Sequence, residues 1–345
     1  DHSTVLLYGT GNAAAGMLPN SGIIRLGLIS IGEAVLVVDP VLHSSSLPAF
    51  IGMFSYASAA KALVNSVEDD TDPNLLKRKI EIKEDREFTA DYEVIEHLGS
   101  GKFGEVKRCR ELATNQEFAC KMVTIHREMD RSDVYNEIKI MQMLRHARLI
   151  QLYDVYSLPD CMYLVLELIT GGELFERIID ESFDLNESKC GLFMREILQG
   201  VEYIHSQKVL HLDLKPENIL CLSRTGYKIK IIDFGLAQLY DRHDLRVLFG
   251  TPEFVAPEII AYDPVSPSSD MWSVGVICYV LLSGLSPFMD NTEAETLNNI
   301  MRVTYSFNYI EFNSISSDAK DLIKRLLVKD PKLVCFLQHE LSYTI

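Results

Sequence analysis

"HLDLKPENIL", residues 211–220, places a carboxylate, an ammonium and a side-chain amide close together: Asp213, Lys215 and Asn218. His211 opens the run, which follows "CGLFMREILQGVEYIHSQ" (190–207), where Leu192, Phe193, Ile197, Leu198, Val201 and Ile204 fall on one helical stripe. Asn186 is the predicted cap of that helix. A loop this polar, set directly after an amphipathic helix, holds its reactive groups on a rigid support.

Phosphoryl transfer spreads charge over the γ-phosphoryl oxygens, so it calls for a carboxylate beside the attacking hydroxyl and a cation beside the phosphate. Asp213 supplies the first and Lys215 the second. Asn218, and Asp233 in "IIDFGLA" (231–237), offer the oxygen ligands that Mg²⁺ prefers. Upstream, Gly99, Gly101 and Gly104 lie in "LGSGKFGEV" (98–106), between the strand-like runs "DYEVIEHLGSG" and "EFACKMVTI". Side chains there would hold the backbone away from phosphates. Lys121 in "FACK" stands where a strand lysine meets the α and β phosphates, and Glu137 in the helical run "NEIKIMQMLRH" can pair with it. Alone, the glycines read as a hairpin turn and the lysine as a solvated edge charge. The order and spacing of the whole set argue for chemistry.

The bulk numbers agree. At 345 residues and 47% hydrophobic, the chain can fill a sizeable core. A formal charge of −16 speaks against a general nucleic-acid binder and favours basic peptide partners. Seven cysteines without a C-x-x-C pair suit a reducing, cytoplasmic setting. The uncharged run 40–60 is broken by Pro40, Pro48 and Gly52 and is no membrane span. The chain opens on Asp1 without a basic segment ahead of an apolar one, so no secretory signal is recognised and a partial gene product is expected.

Composition divides the chain near residue 65. Residues 1–65 form a low-charge extension with little to bury, expected to be disordered. Residues 66–90, dominated by "VEDDTDPNLLKRKIEIKEDREF" (67–88), read as a solvated linker. Gly9, Gly11 and Ala14 formally satisfy a dinucleotide fingerprint, but Pro19 and Gly22 interrupt the helix it needs, so it is read as an accident.

With "GGELFERIIDE", "FGTPEFVAPE" and "DMWSVGVICYVLLSGLSPF" added to the blocks above, the chain from Tyr92 onward resembles a serine/threonine protein kinase. Within that superfamily it is similar to the myosin light chain kinase branch of the calmodulin-dependent group, which includes twitchin. The resemblance implies an α+β, bilobal fold over 91–342, with a small β-rich N-lobe (91–168), a larger, mainly helical C-lobe (169–342) and a truncated C-terminal end. It implies ATP and Mg²⁺ as cofactors, with Leu98, Gly99, Gly101, Gly104, Val106, Ala119, Lys121, Glu167, Ile169, Glu173 and Leu220 around the nucleotide. It further implies Leu166 as gatekeeper, and a stack of Leu152, Met141, Phe234 and His211 anchored through Asp270. Glu173, Glu217, Thr251 and Glu253 match substrate-side positions, for a basic protein such as myosin regulatory light chain. Cytoskeletal association goes with that branch, as does calmodulin control, although no basic helix of the calmodulin-target type follows Arg325.

Two departures stand out. Many kinases have an arginine at position 212, where it binds an activating phosphate. Leu212 cannot, and Thr251 is the only serine or threonine between Asp233 and Glu258, so the loop is expected to be competent without phosphorylation. The family also places an arginine after "KDP" that pairs with the glutamate of "APE". Val334 stands about there, with Lys332 as an imperfect substitute, and a buried Glu258 left unpaired would cost on the order of 3 to 5 kcal/mol. The alternative reading is an inactive scaffold of kinase shape.

Overall fold

The computed structural model describes residues 80–334, apart from 102–103, 181–182, 184 and 241–243, together with two strands nearer the N-terminus. The chain divides into two units, Asp1–Ser66 and Val67–Ile345. In the first, β1 (Gly27–Ile31) and β2 (Ala34–Val38) pair antiparallel from Gly27↔Val38 to Ile31↔Ala34. The Gly9–Gly11–Ala14 run, residues 66–79 and the C-terminal end from residue 335 lie outside the described residues.

The second unit begins with a six-stranded sheet in the order β3-β7-β8-β6-β5-β4. These strands are β3 (Ile82–Lys83), β4 (Tyr92–Gly101), β5 (Gly104–Glu111), β6 (Glu117–Thr124), β7 (Leu152–Ser157) and β8 (Cys161–Leu166), and helix α1 (Glu128–Met143) connects β6 to β7. All pairings are antiparallel except β3 with β7. Alternation along β6 sends Phe118 and Cys120 to one face, into a cluster with Phe88, Tyr92, Cys109, Tyr156 and Val165. It leaves Lys121 on the other.

The expectation of a solvated linker over 66–90 fails from residue 80 onward. Ile80 and Phe88 are buried, and Phe88 stacks on Tyr92 and Tyr163 with ring centroids 5.2 and 4.6 Å apart. The charges of this stretch find partners on the sheet: Lys83 Nζ lies 2.6 Å from Asp154 Oδ2 and 2.7 Å from the Tyr156 hydroxyl. Arg86 hydrogen-bonds Asp91 and holds its carboxyl down to about 2. A run dense in charge looked solvated because its few apolar residues, and the opposite charges awaiting it on β7, are far apart in sequence.

The larger lobe is helical. Its helices are α2 (Leu174–Ile179), α3 (Glu187–Ser206), α4 (Pro257–Ile260), α5 (Pro267–Ser283), α6 (Glu293–Arg302), α7 (Ser317–Leu326) and α8 (Pro331–Val334). Two short antiparallel ladders lie among them, β9 (Val209–Leu210) with β12 (Gln238–Leu239) and β10 (Ile219–Cys221) with β11 (Ile229–Ile231). Asn186 caps α3 as expected, accepting from the Lys189 amide at 3.1 Å. Its buried stripe runs through Cys190, Phe193, Met194, Ile197, Leu198, Val201 and Ile204, while Leu192 sits half-buried on the flank. Helix α5 is buried from Ser268 to Leu281, as a central helix must be, and mostly apolar beyond its first turn. Ser266 caps it, Pro267 opens it, and Gly284 at φ 70° closes it in the left-handed conformation.

Glu258, on α4, is 8% exposed, and its carboxylate accepts from Ser269 Oγ at 2.6 Å. No ion pair reaches it among the described residues: Lys332 is exposed, and Val334 packs into the apolar core at 2% exposure. Burial, helped by the charge of Asp263, raises its pKa against the pull of the Ser269 hydroxyl. With the folded value above the ordinary 4.5, its contribution to stability is complete below that pH and is lost as pH rises through the folded value. Glu258→Gln should therefore be more stable than wild type at pH 7.5, by about 1 to 3 kcal/mol. The gap should close as pH falls toward 5 in thermal denaturation, and a gap independent of pH counts against this account.

Candidate active site

The site is built where the two lobes of the second unit meet, and its upper half hangs on Lys121. Its Nζ lies 2.7 Å from Glu137 Oε1 on α1 and 3.4 Å from Asp233 Oδ1. Burial alone would lower the Lys121 pKa, but the two carboxylates outweigh it and raise it. Burial likewise pushes Asp233 upward, and Lys121, the Gly235 amide and His211 hold it below its ordinary value. Both groups therefore stay charged, and α1 is locked to the sheet. Asn136 Nδ2 adds a bond to the Ala237 carbonyl at 3.1 Å, tying α1 to the segment after Asp233.

The glycine loop joins β4 to β5, with Gly99 paired to Val106 and Gly101 to Gly104. The structure changes the reason for Gly104. It has φ +133°, and a Cβ there would lie 2.0 Å from the Met122 carbonyl oxygen, so β6 itself demands the glycine. Gly99 has open space around it, so nothing in the surrounding fold demands a glycine there. Val106 pairs with Lys121 across β5 and β6, Ala119 pairs with Leu166 across β6 and β8, and Leu98 is 47% exposed.

The lower half is the 211–220 loop. Asp270, 1% exposed in the first turn of α5, accepts the His211 amide at 2.9 Å, the Leu212 amide at 2.8 Å and His205 Nε2 at 2.7 Å. His211 reaches the Ile232 carbonyl at 3.0 Å and packs on Phe234 at 5.1 Å between ring centroids. Met141, Leu152 and Phe234 are all buried in the same core. Leu212 adopts φ 63°, a left-handed backbone costing a leucine roughly 1 to 2 kcal/mol. Its side chain turns into the core at 4% exposure, so apolar packing and two amide bonds to one carboxylate hold the turn.

Asp213, 8% exposed, receives donors on both oxygens: Thr251 Oγ1 on Oδ1 at 2.9 Å, and Lys215 Nζ and Asn218 Nδ2 on Oδ2 at 2.9 and 3.1 Å. Lys215 also donates to Thr251 Oγ1 at 2.8 Å. Asn218 is tied to the strand leading into Asp233 by the Ile232 amide, which donates to its carbonyl at 2.9 Å. A carboxylate, a cation and a hydroxyl from two distant segments thus converge on one point.

Around the cleft, Glu173 bridges to Leu220 on β10, and Ile169 packs at the rim of the core. Burial and the neighbouring charges of Glu176 and Glu217 raise the Glu173 pKa. Glu253 stands half-buried two residues from Thr251. Glu167 donates its amide to the Gln151 carbonyl at 2.9 Å. Its side chain meets Lys230 of β11 at 2.8 Å, a contact that sequence reading missed. The one signal for it was a lysine among isoleucines in "KIKII".

The donor set fits magnesium and a nucleotide. Asn218 spends its amide hydrogens on Asp213, and neither its Oδ1 nor Asp233 Oδ2 has a hydrogen-bond partner among the described residues. One amide oxygen and one hard carboxylate oxygen are what Mg²⁺ takes from protein when phosphates complete its shell.

The description "Protein kinase domain" matches residues 92–338, and the chain belongs to the protein kinase family. Within it, the chain is similar to myosin light chain kinase 3 of Homo sapiens, 52% identical over 256 residues covering 73% of this chain and 31% of that protein. It is also similar to human myosin light chain kinase family member 4, 52% identical over 236 residues covering 68% of this chain and 61% of that one. Among solved structures, the twitchin kinase region from C. elegans matches with TM-score 0.71 and 40% identity, over 74% of this chain and 46% of that one. The chain therefore spans about a third of the myosin light chain kinase 3 sequence it matches. No helix among the described residues is long and apolar enough to cross a membrane.

Leu212→Ala tests whether packing holds the loop. Loss of a buried leucine here should cost about 2 to 5 kcal/mol in denaturant unfolding. A cost within about 0.5 kcal/mol, as for a surface change, would mean the side chain is dispensable.

Proposed function

We propose that the second unit transfers the γ-phosphoryl of ATP to a serine or threonine on a basic protein, with myosin regulatory light chain as the substrate suggested by the names of its relatives. The observation that carries this reading is the convergence of Lys215 and Thr251 on Asp213, on a loop fastened to Asp270 and bonded through Asn218 to the segment that brings Asp233 to Lys121.

In this reading Asp213 orients the attacking hydroxyl, displacing a donor that now occupies one of its oxygens, and Lys215 steadies charge on the transferred group. Lys121, held by Glu137, binds the α and β phosphates. Asn218 and Asp233 would hold magnesium, which supplies charge neutralisation across the phosphates. Leu98, Val106, Ala119 and Leu220 enclose the adenine, with the backbone of Glu167 and Ile169 at its edge. Glu173, Glu217 and Glu253 receive basic residues of the substrate. A cytoplasmic setting beside the contractile cytoskeleton follows from that substrate class. Leu212, tucked into the core, leaves no cation at its position to receive a phosphate, so the loop is competent unmodified.

The test is radiolabelled transfer from Mg-ATP to a light chain peptide by phosphatase-treated protein. Activity should survive that treatment, and Asp213→Asn should lower it by about 10²- to 10⁴-fold. Folded wild type that binds nucleotide without turnover would instead support the scaffold reading.

A further inference from the structure

The geometry points to Lys230 as a positioning residue of the nucleotide site, clamping the hinge at Glu167 to the strand that runs into Asp233. The inference rests on the phosphoryl-transfer reading above and adds to it a residue that neither touches the nucleotide nor takes part in the chemistry.

Three segments meet at this lysine. It lies on β11 directly across from Leu220 of β10, so the two side chains share a face and the lysine stem runs beside the proposed adenine floor. Its ammonium, on a side chain only 3% exposed, lies 2.8 Å from Glu167 Oε2 and donates to the Leu149 carbonyl at 3.3 Å. Glu167 Oε2 receives no aligned hydrogen bond, so the contact is an ion pair held by charge and proximity. Leu149 belongs to the loop between α1 and β7, and its carbonyl also accepts Gln151 Nε2 at 2.9 Å. That loop is stitched to β11 in turn, through the Ile231 amide on the Arg148 carbonyl at 2.8 Å and the Ile150 amide on the Ile231 carbonyl at 3.0 Å.

Glu167 is thereby held at two points, by its amide on Gln151 and by its carboxylate on Lys230. An ammonium buried this deeply needs a counter-charge, and Glu167 is the carboxylate within ion-pair distance among the described residues. Removing the ammonium frees the Glu167 side chain, 22% exposed, to swing toward water and carry the hinge backbone with it. The adenine edge then loses its register with the floor, while the loop that carries Asp213 and Lys215 stays where Asp270 holds its first turn. The loss should appear in nucleotide affinity and not in the chemical step.

Lys230→Met keeps the apolar stem and deletes the charge; Glu167→Gln keeps the hinge backbone and deletes the other charge. Calorimetric titration with Mg-ADP, alongside steady-state kinetics on a light chain peptide, should show the Kd for Mg-ADP and the KM for ATP rising about tenfold in each variant. In Lys230→Met the peptide KM and kcat should stay within about twofold, and the double variant should bind Mg-ADP no worse than either single one, because the pair acts as a unit. If Lys230→Met does not fold, Glu167→Gln alone carries the test. A lower melting temperature with unchanged Kd and KM overturns the positioning role and leaves a structural ion pair. Wild-type protein that binds no Mg-ADP overturns the nucleotide-site reading, and this inference with it.

Discussion

The catalytic loop depends on one buried carboxylate. Asp270 sits in the first turn of α5, where the helix end favours negative charge, and it accepts three donors at 2.7 to 2.9 Å. Burial alone would push its carboxyl up; the hydrogen bond and charge of His205, with help from His211, hold it below its ordinary value. Two of its three bonds go to consecutive backbone amides, at His211 and Leu212, which pins the chain in a turn that a leucine would not otherwise adopt. Everything downstream of that turn inherits its position, including Asp213, Lys215 and Asn218.

The two departures from the family pattern have different physical consequences. At position 212 a charged side chain has been exchanged for an apolar one, and the core absorbs it at 4% exposure, so the loop is held from beneath. At Glu258 a charged side chain has been kept while no cation among the described residues faces it, and its partner is a neutral hydroxyl. The first exchange is complete in itself. The second leaves a carboxyl whose neutral form the fold favours, which makes the stability of the large lobe sensitive to pH.

Much of the site was legible because its residues come in short blocks whose spacing is set by local geometry. The 211–220 loop, the Asp233 segment and the glycine loop each place their groups within a few residues of one another, and the Asn186 cap and α3 follow from helical period. Less legible was the reason for Gly104, which is the carbonyl of Met122 on the next strand. The fate of residues 80–90 was misread, since their partners Asp154, Tyr156 and Tyr163 lie far along the chain. Lys230 was passed over because a lysine in a strand is ordinarily a solvated edge charge, and only its neighbours show it to be buried.

By itself the sequence determined the family, the order of strands before helices, and the identity of the groups that converge on Asp213, because these rest on residue type and short spacing. The tertiary structure alone decided the pairings that residue order does not show: Lys121 with Asp233 as well as Glu137, Lys83 with Asp154, and Lys230 with Glu167. A charge is worth little in water and a great deal in a core. Its effect depends on burial and on neighbours brought in from distant parts of the chain, and neither is written in the local order of residues.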